Sequence, residues 1–560
     1  LAKAPAMTIA TIRTVLRRTA ALACVAATLA GCSRVDTTAT TGSEQNAFTQ
    51  PHHLRVALQG DVSFINPLLT TEAQAQWIDA LTMAWLVRYD RHNELVPELA
   101  TTIPTQQNGG ISADGKTITY HLRTNAKWSD GKPFSAADIA FTVGVVNDPK
   151  TNVQSREGFD QIIKIDTPNS FTVVFHLKAP YSPFVATIFS TGSGGGPAIL
   201  PKHLLAHTAN INTDPYNALP VGIGPFKFTK WARADAIELA ADPLYFRGRP
   251  KLDRITFKII PNRDTIMSEL QTGDLDLWAI AAFAYLSRMQ DLKGFHVIRQ
   301  PGFGYGHLDF NVTHPGISDP IVRRALLMAW NRREQREKVS HGVGILQDGV
   351  YSPSSPYFDP KIGFTAFDPR KANALLDAAG WKRGPDGIRA KDGVRLNLNV
   401  VTNVGSPDTD LRIELLRQDW KTIGVSFTRK EYAPNQLFAS MQENGIVQNG
   451  KFDVVFFAWY PNASGDELNT FGCAKTPPAG QNDIHWCNRR ADAAMNDFVA
   501  SYDLARRKRD ADILQVEMQR DTPTMVSSMY EDLFAVNDDV KNFHPHNLPG
   551  PYDSFMDVDI

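Results

Sequence analysis

The chain has 560 residues, 43% of them hydrophobic and 21% charged, with a formal net charge of −1, which is the balance of an ordinary globular protein. That length is several times the commonest domain size, so one core is excluded and two or three domains are expected. Balanced charge without a basic patch argues against a nucleic-acid partner.

From Met7 the sequence reads as a secretory signal. Arg13, Arg17 and Arg18 form a basic start, and an uncharged run from Thr19 to Ala30 follows. Residues 1 to 6 precede this start and are left out of the fold reading. The run is too short to span a bilayer, and nothing beyond residue 32 is long and apolar enough for a transmembrane helix. It ends in Leu29-Ala30-Gly31-Cys32, which resembles the bacterial lipobox, where the cysteine is acylated and becomes the new N-terminus. Two readings stand: a lipoprotein anchored through Cys32, or an exported protein whose signal happens to contain cysteines. The polar stretch 33–50, "SRVDTTATTGSEQNAFTQ", favours the first, because it reads as a tether that buries too little apolar surface to order itself.

Strands come next. Alternation in "HLRVALQ", "KTITYHLR" and "FTVVFHLK" predicts half-buried strands, with more at "RITFKII" and "RLNLNVV". Gly222, Gly224 and Pro225 read as a backbone crossing where a side chain would clash. Ser135 predicts a helix start, and so do Asp319-Pro320 and Asp368-Pro369, an N-cap acid followed by proline at the first helical position. Gly380 closes the last of these helices, and 490–521 is strongly helical. Cys473 and Cys487 lie fourteen apart in the loop-like "CAKTPPAGQNDIHWC". In an exported protein a disulfide is the expectation for such a pair, and closing that loop is worth roughly 3 kcal/mol in the chain-entropy model. The class is α/β, or mixed α+β, without repeats.

"GKTITYHLRTNAKWSDGKPFSAADIAFTV" (115–143) resembles the signature of the extracellular solute-binding proteins of family 5, the peptide and nickel receptors of ABC importers. "VGIGPFKFTKW", "LQTGDLDL", "DPIVRRALLMAW" and "FDPRKANALLDAAGW" follow in the family's order. The resemblance implies a two-lobed periplasmic-binding-protein fold with a hinge and an extra inserted domain. Lobe I would comprise 51–90, 198–305 and 522–560, the inserted domain 91–197, and lobe II 306–521. It further implies a monomer in the cell envelope that captures a peptide or other small solute and delivers it to ABC permease subunits, with no cofactor.

In peptide-binding members of the family a Trp-x-x-Asp segment pairs its carboxylate with the ligand's ammonium group. This chain has Trp459-Tyr460-Pro461-Asn462; Trp459 and Tyr460 would supply flat apolar walls to the cleft, but an amide at the fourth position cannot neutralise a cation. Losing one member of a buried charge pair costs on the order of 2–5 kcal/mol. Either another acid does the job, Asp466 and Glu467 just downstream being the nearest, or the ligand has no enclosed free amine; Asp466 has the further alternative of capping a turn. The resemblance also turns Gly60, Asp61 and Ser63 towards the cleft, together with Tyr305 from the glycine-spaced "GFGYGHLDFN" and, as a further candidate, His307.

Enzyme motifs are missing. There is no Gly-x-Ser-x-Gly, no His-Glu-x-x-His, and "STGSGGGP" (190–197) has the glycines of a phosphate loop without its lysine. No metal site is expected from His52-His53, His203, His207, His544 and His546, which are scattered. A metal chelate, another non-peptide solute and a non-transport receptor role remain open alternatives.

Overall fold

The computed structural model describes residues 46–560 other than 63, 67, 70–71, 154–155, 157, 192–197, 405–406, 440, 442–443, 462, 546–549 and 551. The signal, Cys32, Ser63, Asn462, the glycine run 192–197 and His546 therefore lie outside the described residues. No described helix is long and apolar enough to cross a membrane.

In chain order the strands are β1 (His53–Leu58), β2 (Val87–Tyr89), β3 (Leu95–Pro97), β4 (Thr117–His121), β5 (Ile162–Asn169), β6 (Thr172–Leu177), β7 (Phe226–Ala232), β8 (Ala236–Ala241) and β9 (Arg254–Ile259). They continue as β10 (Leu277–Trp278), β11 (Phe295–Phe310), β12 (Lys382–Arg383), β13 (Arg389–Lys391), β14 (Val394–Arg395), β15 (Asn397–Asn403), β16 (Ser426–Tyr432), β17 (Val454–Trp459) and β18 (Thr524–Asn537). Ten of them form one sheet in the order β16-β15-β17-β11-β18-β10-β1-β9-β8-β7.

Two long antiparallel strands, β11 and β18, run through the middle of that sheet and divide it. Their pairing extends from Phe295↔Asn537 to Asp309↔Thr524. β10 joins only the far end of β18, at Ala535 and Val536, whereas β17 joins only the far end of β11, from Tyr305 to Phe310. Each half thus has its own partners and its own core. In one half Leu54, Val56, Ile78, Phe257 and Phe555 pack together; in the other Leu308, Leu326, Leu376, Leu398 and Trp420 do so. These are the two lobes. A third core, around Tyr120, Trp128, Ile139, Phe175 and Phe184, belongs to the separate sheet β4-β6-β5 and the helix Ala136–Asn147.

Local signals act as their chemistry dictates. Ser135 and Asp138 form a capping box, and Asp319 and Asp368 accept from the N–H groups of Ile321 and Lys371 with proline at the first turn. The helical stretch near the C-terminus is two helices, Arg489–Ala500 and Leu504–Asp521. Cys473 and Cys487 are disulfide-bonded. The end of the stretch read as a tether is docked on the body: Phe48 stacks on Phe295 with ring centroids 5.8 Å apart, and Asn46 Nδ2 donates to Asn537 Oδ1 at 2.6 Å. Phe48 is the one large aromatic in that polar segment, and its ring gives the docked residues their apolar hold.

Asp79, on the helix Ala73–Thr82, is 1% exposed, and neither of its carboxylate oxygens has a hydrogen-bond partner among the described residues. Burial pushes its pKa well above the usual carboxylate range. A raised folded-state pKa contributes stability below the unfolded value, and that stability is lost as pH rises through the folded value. Asp79→Asn is therefore expected to stabilise the protein by about 1–3 kcal/mol at pH 8 and far less at pH 4. Melting curves across that range check it; a pH-independent difference would contradict it.

Candidate functional site

The division between the lobes has a definite place. Pairing of β11 with β18 is regular up to Pro301↔Glu531 and resumes at Tyr305↔Met529, so Gly302, Phe303 and Gly304 stand opposite the single residue Tyr530. Such a bulge breaks the ladder and bends the strand. A second irregularity follows close by, where Gly306 pairs with Ser528 and His307 with Val526, so that Ser527 is the extra residue on β18; interrupted pairing in both connecting strands suits a hinge.

Beside the break lies a pocket of about 340 Å³. Phe283, just after β10, forms part of the lobe I wall; Phe456 and Tyr460 of the β17 segment and Arg412 of the helix Pro407–Lys421 form the lobe II wall; Tyr530 and Asp532 of the connecting strand close it. Tyr460 is 72% exposed although protein surrounds it, as befits a ring standing in an open cleft. It leans on Tyr530, with centroids 5.9 Å apart, and over Gly304, where a Cβ would come within 2.4 Å of its ring. The glycine of "GFGYG" thus makes room for the chain's own tyrosine.

Charge in the pocket is unevenly satisfied. Glu531 and Asp532 are consecutive and so point to opposite faces of β18. Glu531 binds Arg299 and the Gly344 N–H, each at 2.7 Å. Asp532 has neither a hydrogen bond nor an ion pair among the described residues, and burial alone pushes its pKa up to about 7. Among the described residues Arg412 donates only to neutral oxygens, Gln335 Oε1 at 3.3 Å and Ser340 Oγ at 3.4 Å, with its guanidinium 5.5 Å from the Phe456 ring centroid. Desolvation lowers its pKa.

Of the residues singled out from the sequence, Tyr460 lines this pocket. Trp459 is half-buried and packs against the core around Tyr351 and Trp486. Tyr305 is 1% exposed within that same core and is not on the pocket wall. Burial raises its pKa, helped by Glu467, Asp309 and Tyr351. His307 is buried between the rings of Tyr305 and Phe457, 3.1 Å from Asp309. The Asp61 carboxylate is occupied within lobe I, accepting from Trp231 Nε1 at 2.9 Å and the Ala234 N–H at 3.0 Å. A Cβ on Gly60 would meet nothing within 4 Å, so its backbone faces open space. Asp466 accepts the Leu468 N–H at 2.9 Å, which is the turn-capping alternative; burial raises its pKa against the opposing charges of Arg507 and Lys475. Among the described residues no group of three or more His, Cys, Asp or Glu could hold a metal ion.

Arg412, Tyr530 and Asp532 were missed. Arg412 sits in the charged helical stretch "DTDLRIELLRQDW", which reads as a solvated face. The signal that could have found Asp532 is "YED" interrupting an otherwise apolar and small-residue strand, "TMVSSMYEDLFAVN".

The family model of bacterial extracellular solute-binding proteins, family 5 Middle, matches residues 94–477. Among curated relatives, the oligopeptide-binding protein AppA of Bacillus subtilis (strain 168) is 25% identical over 500 residues, 88% of this chain and 87% of that one. The solved structure of AppA in complex with a nonapeptide matches with a TM-score of 0.74 at 22% identity, over 91% of this chain and 99% of that one. NikZ of Campylobacter jejuni, in complex with Ni(L-His), matches with a TM-score of 0.74 at 23% identity, over 91% and 100%. At those identities the structural likeness establishes the two-lobed fold.

Proposed function

Because the chain belongs to the bacterial extracellular solute-binding proteins of family 5, whose members are binding proteins of transporters and not enzymes, we propose that it captures peptides between its lobes and delivers them to an ABC permease. The observation that carries this is the pocket at the hinge, walled by both halves of the sheet. AppA, an oligopeptide-binding protein, spans nearly the whole chain. An extended peptide suits such a cleft because its backbone supplies most of the hydrogen bonds whatever its side chains. Acyl chains on Cys32 anchor the protein to the membrane, and residues 91–197 move with lobe I, while 306–521 form the opposing lobe.

Closure brings the inserted domain onto lobe II. Ser182 donates through N to Val499 O at 2.7 Å and through Oγ to Phe498 O at 3.0 Å, and Tyr502 Oη donates to Gly115 O at 3.0 Å. On this reading the three bonds belong to the closed state. Each is worth about 0.5–1.5 kcal/mol, so Ser182→Ala with Tyr502→Phe is expected to weaken ligand affinity by roughly 5- to 100-fold. Calorimetry checks this; unchanged affinity would mean that the contacts also exist in the open protein.

The reading is tested by native mass spectrometry of protein purified without refolding, then denatured to release its ligand. A ladder of short peptides supports it. A single non-peptide mass or a metal chelate overturns the peptide cargo.

A further inference from the structure

Two charged groups in the hinge pocket serve no visible purpose in the fold. Drawing a charge even partly out of water costs free energy unless it is paired, so proteins tend to supply a partner. The neighbouring pairs show the usual solution: Glu531 takes Arg299 at 2.7 Å, and Arg332, on the same lobe as Arg412, takes Asp348 at 2.5 Å. Among the described residues Asp532 and Arg412, each half-buried, have no such partner, and they do not form an ion pair with each other although they line one pocket. We infer that Asp532 and Arg412 are the two charge anchors of this pocket, which accepts a short amphoteric solute bearing a free ammonium group and a free carboxylate, as a dipeptide does. The inference rests on the proposed reading of this pocket as the ligand site.

The opposite signs set the polarity: the ligand ammonium meets Asp532 on the connecting strand, and its carboxylate meets Arg412 on lobe II. Because Asp532 lies at the hinge and Arg412 on a moving lobe, one bound molecule ties the two together in the closed form. The volume of about 340 Å³ is near the lower end for ligand pockets, roughly 300–1,000 Å³, which favours a short ligand. Phe283, Phe456 and Tyr460 supply apolar and aromatic surface between the anchors. Asp466, the anchor suggested by the sequence, spends one oxygen on the Leu468 N–H, whereas Asp532 spends none.

Proton uptake follows from the same geometry. The charged or titratable groups sharing the pocket with Asp532 are Arg263, Asp408, Arg412, Tyr460, Tyr530 and Glu531. Arg263 and Asp408 are exposed, and Arg263 Nε donates to Gln59 Oε1 at 3.0 Å. A ligand ammonium brought against Asp532 favours its ionised form and expels its proton. Amine binding therefore strengthens as pH rises towards 7, until the ligand's own ammonium, with a pKa of about 8, deprotonates.

The test uses the full chain, denatured to remove bound ligand and refolded, titrated calorimetrically with Ala-Phe, N-acetyl-Ala-Phe and Ala-Phe amide. For the unaltered protein, acetylation or amidation is expected to weaken binding at least about 30-fold. Asp532→Asn should lose the preference for the free amine, and Arg412→Gln the preference for the free acid. Repeating the Ala-Phe titration at pH 6.5 in buffers of different ionisation enthalpy should show most of one proton released per ligand by the unaltered protein, and none by Asp532→Asn. Equal binding of Ala-Phe and its acetylated form, or no proton release, overturns the Asp532 assignment without recourse to any variant. Failure of all three probes to bind overturns the dipeptide class. Tyr460→Ala separates the two levels: if it weakens binding while Asp532→Asn does not, the pocket stands and the anchor falls; if neither matters, the pocket is not the ligand site.

Discussion

Alanine at position 222 is expected to prevent the protein from folding normally, or to destabilise it by about 3 kcal/mol or more. The segment leading into β7 crosses the end of the helix Ala73–Thr82 backbone against backbone. A Cβ on Gly222 would sit 1.8 Å from Thr82 O, and one on Gly224 would sit 2.4 Å from Leu81 O. No rotamer change relieves an overlap with a peptide carbonyl. The approach is close because it satisfies the helix end: Gly224 N–H donates to Thr82 O at 2.9 Å, and Gly222 O accepts from Ser129 N–H at 2.9 Å, so a carbonyl without a partner in the helix finds one outside it. Separation of the two segments would break both bonds and loosen the turn at Trp128, which is fully buried in the core of the inserted domain. Two other glycines provide controls. Gly60→Ala meets open space and should leave stability unchanged, whereas Gly304→Ala meets only the ring of Tyr460, which can swing aside, and should reshape the pocket at little cost in stability. Thermal unfolding of the three variants checks the order; a Gly222→Ala protein as stable as Gly60→Ala would refute the crossing.

That crossing was legible from residue types alone, since Gly-x-Gly-Pro leaves few other reasons to omit side chains. The helix caps at Asp319 and Asp368 and the alternating strands were legible for a similar reason: their signals are local, and the structure uses them locally. The pocket was not. Tyr305 and Trp459 were read as cleft residues because they fall in segments that resemble a family's binding loops, yet the pleat turns both towards the core around Tyr351. A shift by one position reverses the face of a strand side chain, and Tyr460, one residue beyond Trp459, reaches the cleft. Asp532 could not be distinguished from Glu531 by sequence. What separates them is the side of β18 on which each emerges at the hinge, and that depends on the sheet order, in which β18 lies between β11 and β10.

Removal of the Asp276 carboxylate is expected to destabilise lobe I by about 3–5 kcal/mol, because it leaves a buried guanidinium without a counter-charge. Asp276, 0% exposed, precedes β10 and accepts from Arg55 of β1 through N at 2.9 Å, Nε at 2.8 Å and Nη2 at 2.7 Å. It also accepts from Asn537 Nδ2, at the end of β18, at 3.1 Å. Three neighbouring strands therefore meet at one carboxylate, and the Arg55 guanidinium extends the network to Gly273 O at 2.6 Å and Phe48 O at 3.1 Å. Asp276→Ala should thus release the docked segment 46–49 as well as weaken the sheet, detectable as loss of amide-exchange protection there before global unfolding. The pair is a poor source of net stability but a strong constraint on which strands are neighbours. Replacing both partners by apolar residues, Arg55→Met with Asp276→Leu, should recover most of the lost stability, since no unpaired charge remains. A double variant as unstable as Asp276→Ala would show that the hydrogen bonds across the three strands, and not the stranded charge, hold this half of the hinge in place.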